Sequence, residues 1–219
     1  MGLSHPIRRL LNRQARDPAG ECNGDAPAGE FARTVRARTG EPVREGELVR
    51  LRRHLPLNLA AFQRWYGDPE IAELLRHDLE PLTAAQSQGY FETVILPLSA
   101  RGLCYAIHDT ATDTLVGTSA LTDVIGGSAL FRIVIGEKDF WGQGRGTEAT
   151  ALVVAEAFET HNFNQVRLEV FRHNQRAVAA YTRAGFHVTG EHTEWVSHHK
   201  FLLHIIEMAI DRDTGAGTA

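Results

Sequence analysis

The sequence predicts a single α+β domain centred on a mixed, mostly antiparallel sheet flanked by helices. Three observations carry that expectation. Between residues 103 and 135, short apolar runs alternate with turn residues at close spacing, the pattern of an antiparallel meander. Segments of helical period lie on both sides of this meander in the chain. Beyond residue 141 come a glycine-rich turn, a helix, a strand, another helix and a last strand, with no internal repeat.

The elements follow in order. Residues 47–51 form an opening strand, with Val49 and Leu51 on one face and Arg50 on the other. Asn58 can cap a helix through Phe62, Trp65 and Tyr66, and Asp68 the next, where Ile71, Leu74 and Leu75 recur at helical spacing. Thr83 starts a third helix, through Tyr90, Phe91 and Val94, expected to stop at Pro97. The meander strands are 103–107, 115–124 and 130–135, separated by the turn-rich segments 109–113 and 126–128. A helix from Thr147 to about Thr160 leads to a strand over 165–171, which alternates Val166, Leu168 and Val170 with Gln165, Arg167 and Glu169. The next helix, 174–184, ends at Gly185, where a left-handed cap costs least. A strand over 201–210 closes the domain.

Residues 1–45 lack such order. Pro, Gly, Ala, Arg and acids mix there without period, as in Asp17-Pro-Ala-Gly20, and we expect a disordered extension with at most a short helix around 7–16. That extension would be a solvated tail or an arginine-rich docking arm. The folded domain is expected over 46–211, followed by a flexible tail, 212–219.

Composition narrows the class. Of 219 residues, 43% are hydrophobic, 8% aromatic and 23% charged, which excludes fibrous, collagenous and wholly disordered chains. No apolar run approaches the roughly 20 residues that span a bilayer. The N-terminus has no secretory h-region, and Pro6 stands where a myristoylation site needs Ser or Thr. The reading is a cytoplasmic protein, off the membrane. A net charge of −4 carries no nucleic-acid footprint. Residues 1–45 hold eight arginines against six acids, whereas the remainder holds fifteen basic and twenty-one acidic side chains. A mildly acidic folded part suits a cationic substrate such as an amine. Cys22 and Cys104 form neither a disulfide framework nor a metal set, and Cys104 reads as core. No pairing among the eleven histidines has convincing zinc spacing.

The chemistry concentrates after residue 140. Gly142-Gln-Gly-Arg-Gly-Thr-Glu-Ala149 joins a strand to a helix, so glycine backbone and free helix amides could seat phosphate oxygens. Gly144-x-Gly146-x-x-Ala149 also satisfies the dinucleotide fingerprint, with Glu169 25 residues beyond Gly144. A nicotinamide-dependent oxidoreductase, however, needs its strand immediately before the glycines and repeated βαβ units. Here residues 136–141 intervene, and the preceding strands read as hairpins.

Phe140-Trp-Gly-Gln-Gly-Arg-Gly-Thr-Glu-Ala149 resembles the phosphate turn of the GNAT acyltransferase superfamily, in the branch similar to ribosomal-protein N-terminal acetyltransferases. Trp141 stands where Gln or Arg is usual. A second motif agrees: Leu168-Glu-Val170, Asn174, Ala177, Tyr181 and Gly185-Phe186 match the pattern of the same enzymes, and Val49-Arg-Leu-Arg52 and Trp65-Tyr-Gly-Asp-Pro-Glu70 are weaker echoes. The likeness spans about 46–210.

The resemblance implies a GNAT fold in which two splayed strands form the acyl-CoA slot. It implies an N-acetyltransferase that moves an acetyl group from acetyl-CoA to a primary amine, a protein N-terminus or small amine, by direct transfer without a metal. The strand backbone at Phe131, Ile133, Val134 and Ile135 would pair with the pantetheine amides. Gln143, Gly144, Arg145, Gly146 and Thr147 would offer amides to the pyrophosphate, with Arg145 adding charge and Arg176 reaching the adenosine phosphate. Asn174 would bind the pantetheine arm or a water. Tyr181, two helical turns beyond Asn174 and on the same side, takes the role of general acid. Glu169 is the general base, directly or through water, with Glu137 as its rival. A non-catalytic acyl-CoA-binding module is the other reading of the same turn. A homodimer through the final strands is compatible with the sequence.

Overall fold

The structure, a computed structural model, describes residues 42–212. The opening strand is a short hairpin, β1 (Arg44–Glu45) with β2 (Val49–Arg52). Helices α1 (Leu59–Tyr66) and α2 (Pro69–Leu75) follow, then α3 (Ala84–Tyr90), a π-helical turn (Phe91–Ile95) and α4 (Leu96–Ala100). The meander is β3 (Cys104–Asp109), β4 (Leu115–Ile125) and β5 (Ser128–Ile135). Helix α5 (Arg145–Ala155) ends in a π-helical turn (Glu156–Thr160) and precedes β6 (Gln165–Phe171), α6 (Gln175–Arg183), β7 (His187–Val196) and β8 (Phe201–Asp211).

The eight strands form one sheet in the order β1-β2-β3-β4-β5-β6-β8-β7. Every pairing is antiparallel except β5 with β6. A single parallel pair removes the dinucleotide-fold alternative, which requires successive parallel βαβ units. The parallel pair is also brief. It runs from Ser128↔Gln165 to Leu130↔Arg167 and stops, although β5 continues along β4 to Ile135 and β6 continues along β8 to Phe171. The two strands therefore diverge, as the expected slot requires.

Strand alternation sorts β5 onto the two faces. Phe131 meets Tyr181 of α6 edge-on, ring centroids 6.3 Å apart, while Val134 packs with Trp65 of α1 and Ile71 of α2. Cys104, Tyr105, Leu121 and Phe131 anchor the core between sheet and helices. Burial pushes the Cys104 thiol up to about 12, consistent with a packing role.

Local signals place most caps. Asp68 accepts from the amides of Glu70 and Ile71, and Thr83 and Gln86 form a reciprocal capping box. Asn58 behaves differently from expectation: its Oδ1 accepts from the Leu55 amide at 2.7 Å and caps nothing in α1. The third helical segment also passes Pro97, because the π-helical turn puts Pro97 in the first turn of α4, where a missing N–H is tolerated.

Three boundaries need correction. The expected extension 1–45 reaches too far, since Val43 N donates to Leu51 O and Arg44 pairs with both Glu156 and Glu159. At the other end Arg212 N donates to Asn164 O, so it belongs with the fold. The predicted order also lacked β7, an edge strand held by β8 alone, whose exposed polar residues bury no regular apolar face. The expected disorder and helix in 1–41, and the tail 213–219, lie outside the described residues.

One carboxylate ties the sheet edge to α5. Glu148, in the helix's first turn, accepts the backbone amides of Glu47, Leu48 and Val49 at 2.7–2.9 Å. Replacing Glu148 with Ala leaves these donors to solvent, at a cost of about 2 kcal/mol. Urea unfolding should register that loss, with the thermal midpoint falling by about 4–8 °C.

Candidate active site

An open cleft of about 1270 Å³ lies where β5 and β6 part. Its lining includes Leu130 to Ile135 of β5, Glu169 to Phe171 of β6, the turn before α5, one side of α6 and the end of α2. Residues 131–135 of β5 have no strand partner on this side. Backbone N–H and C=O groups on that edge need partners, and a bound chain carrying amides would supply them.

At the upper end β5 gives way to the glycine turn. Gly136 is required by contact, because a Cβ there would fall 2.1–2.3 Å from the Trp65 ring. Gly144 precedes α5 with φ +86°, a left-handed conformation natural only to glycine, and no side chain caps the helix. The first-turn amides of α5 are thus available at a positive dipole end, a seat for an anion. A Cβ at Gly146 would meet Ile135 at 3.6 Å, ordinary contact, so small residues fit there as far as the fold is concerned.

Two side chains hold the turn in place. Asp109 at the end of β3, 1% exposed, accepts from the Thr112 amide and hydroxyl and from Arg145 Nε at 2.7 Å. Arg145 also donates to Gln143 Oε1 at 2.6 Å and lies over the Phe140 ring. Neither Gln143 nor Arg145 lines the cleft. The charge expected from Arg145 is therefore committed to a buried carboxylate, which corrects that part of the reading; both residues still sit on the turn whose amides face the ligand seat. Trp141 donates its indole N–H to Ile135 O at 2.6 Å, and Arg176 of α6 stacks 3.8 Å from the Trp141 ring centroid, joining the turn to α6.

The other expected residues gather in the one cleft: Phe131, Ile133, Val134, Ile135, Gly144, Gly146, Thr147, Glu169, Asn174 and Tyr181 all line it. Asn174 caps α6 through Ala177 N at 3.2 Å and reaches Leu74 O, tying α6 to α2. Burial raises the Tyr181 phenol above its ordinary range, so it stays protonated. Glu137, the rival base, is occupied elsewhere. Its Oε1 accepts from Arg64 and from Trp65 Nε1, and it does not line the cleft.

Sequence reasoning missed His77. It follows α2, and its Nδ1 lies 2.6 Å from Glu194 Oε2 of β7 while its Nε2 lies 3.7 Å from Glu169 Oε2. Its ring also stands edge-on to Phe171. Glu194 is 117 residues away in sequence, so no local pattern marks the pair. Of the aromatics on α1, α3 and the π-helical turn, Phe62, Trp65 and Phe91 are core, while Tyr66 and Tyr90 line a second cavity adjoining the cleft. Among the described residues no His, Cys, Asp and Glu side chains form a group able to hold a metal, and no helix is long and apolar enough to cross a membrane.

Comparison with known proteins follows from this geometry. The sequence matches the family described as "Acetyltransferase (GNAT) domain" over residues 49–187. No curated protein matches it. A GNAT-family acetyltransferase from Bacillus anthracis shares the fold, with TM-score 0.66, 12% identity, and 76% of this chain and 96% of that chain covered. Ribosomal-protein-S5-alanine acetyltransferase from Vibrio fischeri superposes with TM-score 0.63 at 13% identity, covering 78% and 97%. Spermidine N-acetyltransferase from Vibrio cholerae, solved with CoA and spermine, gives TM-score 0.63 at 19% identity, covering 76% and 96%.

The Asp109–Arg145 pair makes a testable stability statement. Hydrogen bonds from Thr112 first, and from Arg145, hold the Asp109 carboxyl below its usual range despite burial. A depressed folded value means the contribution is present above the unfolded value, about pH 4, and is lost as pH falls through the folded one. Asp109→Asn should cost about 3 kcal/mol at pH 7, with the deficit shrinking on acidification, as read by urea unfolding at both pH values.

Proposed function

The chain belongs to the GNAT acetyltransferase family, and from that premise we propose that it transfers an acetyl group from acetyl-CoA directly to a primary amine, without a metal. The acceptor is a protein N-terminus or a small amine. One observation carries the proposal: the unpaired edge of β5 leads straight to the uncapped amides of α5, with Tyr181 and Glu169 lining the same cleft. The amine class is supported by solved proteins of similar fold, among them a ribosomal-protein alanine acetyltransferase and a spermidine N-acetyltransferase.

The residues fit coenzyme A. Backbone groups of residues 131–135 would hold the pantetheine arm, the amides of 143–147 the pyrophosphate, and Arg176 the adenosine phosphate end. Acetyl-CoA supplies a thioester carbonyl and a thiolate leaving group. The tasks left to the protein are proton removal, since an alkylamine with pKa about 10 is mostly protonated at neutral pH, and proton delivery to the leaving sulfur. Glu169 takes the ammonium proton. His77, with Nδ1 beside Glu194 and Nε2 beside Glu169, is a second proton-transfer group on the same route. Tyr181, protonated in its buried setting, donates to the sulfur.

Thermal shift with coenzyme A tests the seat: at 100 times its Kd a ligand adds about 2.7 kcal/mol of stability. NAD should add nothing, and stabilisation by NAD alone would overturn the reading. Thiol release from acetyl-CoA across an amine panel then tests turnover. Tyr181→Phe should lower kcat about 10²-fold with coenzyme A affinity intact, whereas an unchanged rate removes Tyr181 from the reaction. Gly146→Asp should fold normally and lose coenzyme binding through charge conflict with the pyrophosphate.

A further inference from the structure

The second cavity lies on the acceptor side of the sheet. It is lined by Tyr66, Arg76, Tyr90, Thr118, Ser119 and Arg132, and shares Leu75, Arg132, Ile133 and Val134 with the main cleft. No Asp or Glu lines it among the described residues. Arg76 is already held, by Asp78 and by the Glu80 carbonyl. Arg132 is not. Its Nε is inaccessible to solvent and has no hydrogen-bond partner, and Ser119 Oγ is in the same condition. The half-buried Arg132 guanidinium thus has no acceptor, and a bound anionic oxygen group at its terminal nitrogens would supply one.

The register says what stands opposite. Extending Leu130↔Arg167 by two residues brings Arg132 and Glu169 level across the splay, and residues two apart on a strand share a face. Arg132 and Glu169 thus occupy opposing walls of one opening, and no ion pair joins them among the described residues. A cation on one wall and an anion on the other match a molecule that carries both charges. We infer that the acceptor bears a carboxylate as well as its amine, and that Arg132 binds that carboxylate. The amine then lies toward Glu169, where the proposed transfer requires it; the inference rests on that reading of the cleft. A polyamine fits poorly, because its second ammonium would meet the like charge of Arg132. A guanidinium is well suited to the task, since its fork matches a carboxylate edge with paired donors.

The test uses product mimics, so it needs no turnover. N-acetylglycine, N-acetyl-β-alanine and 4-acetamidobutyrate, each with its neutral amide, are titrated calorimetrically into the full chain with and without coenzyme A. For at least one chain length the acid should bind ten-fold or more tightly than its amide. Arg132→Gln should erase that ratio, and Arg132→Lys should retain part of it. Coenzyme A affinity, read separately, should be the same in all variants; failure of the wild type there falls on the acetyltransferase reading, not on the acid-over-amide ratio. Equal binding of acids and amides, a ratio that survives Arg132→Gln, or tighter binding of N-acetylspermidine than of every acid would overturn the inference.

Discussion

The divergence of β5 from β6 is the constraint on which the rest of the molecule depends. Two parallel strands that pair for three residues and then separate leave a backbone edge with donors and acceptors facing a gap. Such an edge is unfavourable unless something completes it. Neighbouring features serve that gap. The glycine turn opens at its end, α6 lines it with Asn174 and Tyr181, and α2 brings His77 against its lower wall. The antiparallel remainder of the sheet supplies rigidity, holding β5 along β4 from residue 117 and β6 along β8 over its full length.

The turn itself is held by distant parts of the chain. Glu148 gathers three amides of the β1–β2 hairpin, and Asp109 reaches across from β3 to Arg145. These contacts fix the start of α5 before any ligand arrives, so less ordering accompanies binding. Arg145 is instructive: an arginine inside a glycine-rich turn before a helix reads naturally as a charge for phosphate, yet here it is a strut.

What could be read from the chain divides along the range of the interactions. Strand 165–171 and the helix after Asn174 were legible because period, cap and terminal glycine all lie within a dozen residues. The glycine turn was legible because its spacing reports a backbone need. His77 with Glu194, Arg145 with Asp109 and Arg132 opposite Glu169 were not, since each relation is created by the fold between residues 36 to 117 apart. Strand β7 was missed for a related reason: half exposed and paired only with β8, it buries no apolar face that would impose an alternation. Asn58 misled in the opposite sense, for a capping residue at a helix start had a nearer amide to serve.

The contact between Trp65 and Gly136 bears on how such an enzyme can diversify. While the indole occupies that spot, no side chain can be added at 136 without displacing it from the junction between α1 and the end of β5. A side chain at 136 therefore requires a smaller residue at 65 first, so the order of change at this junction is constrained. Tyr66 and Tyr90, which line the second cavity, pack on Phe62 and on each other but close no backbone contact of this kind. Side chains can thereby change in the cavity's lining while the helix that carries part of it stays pinned where it stands.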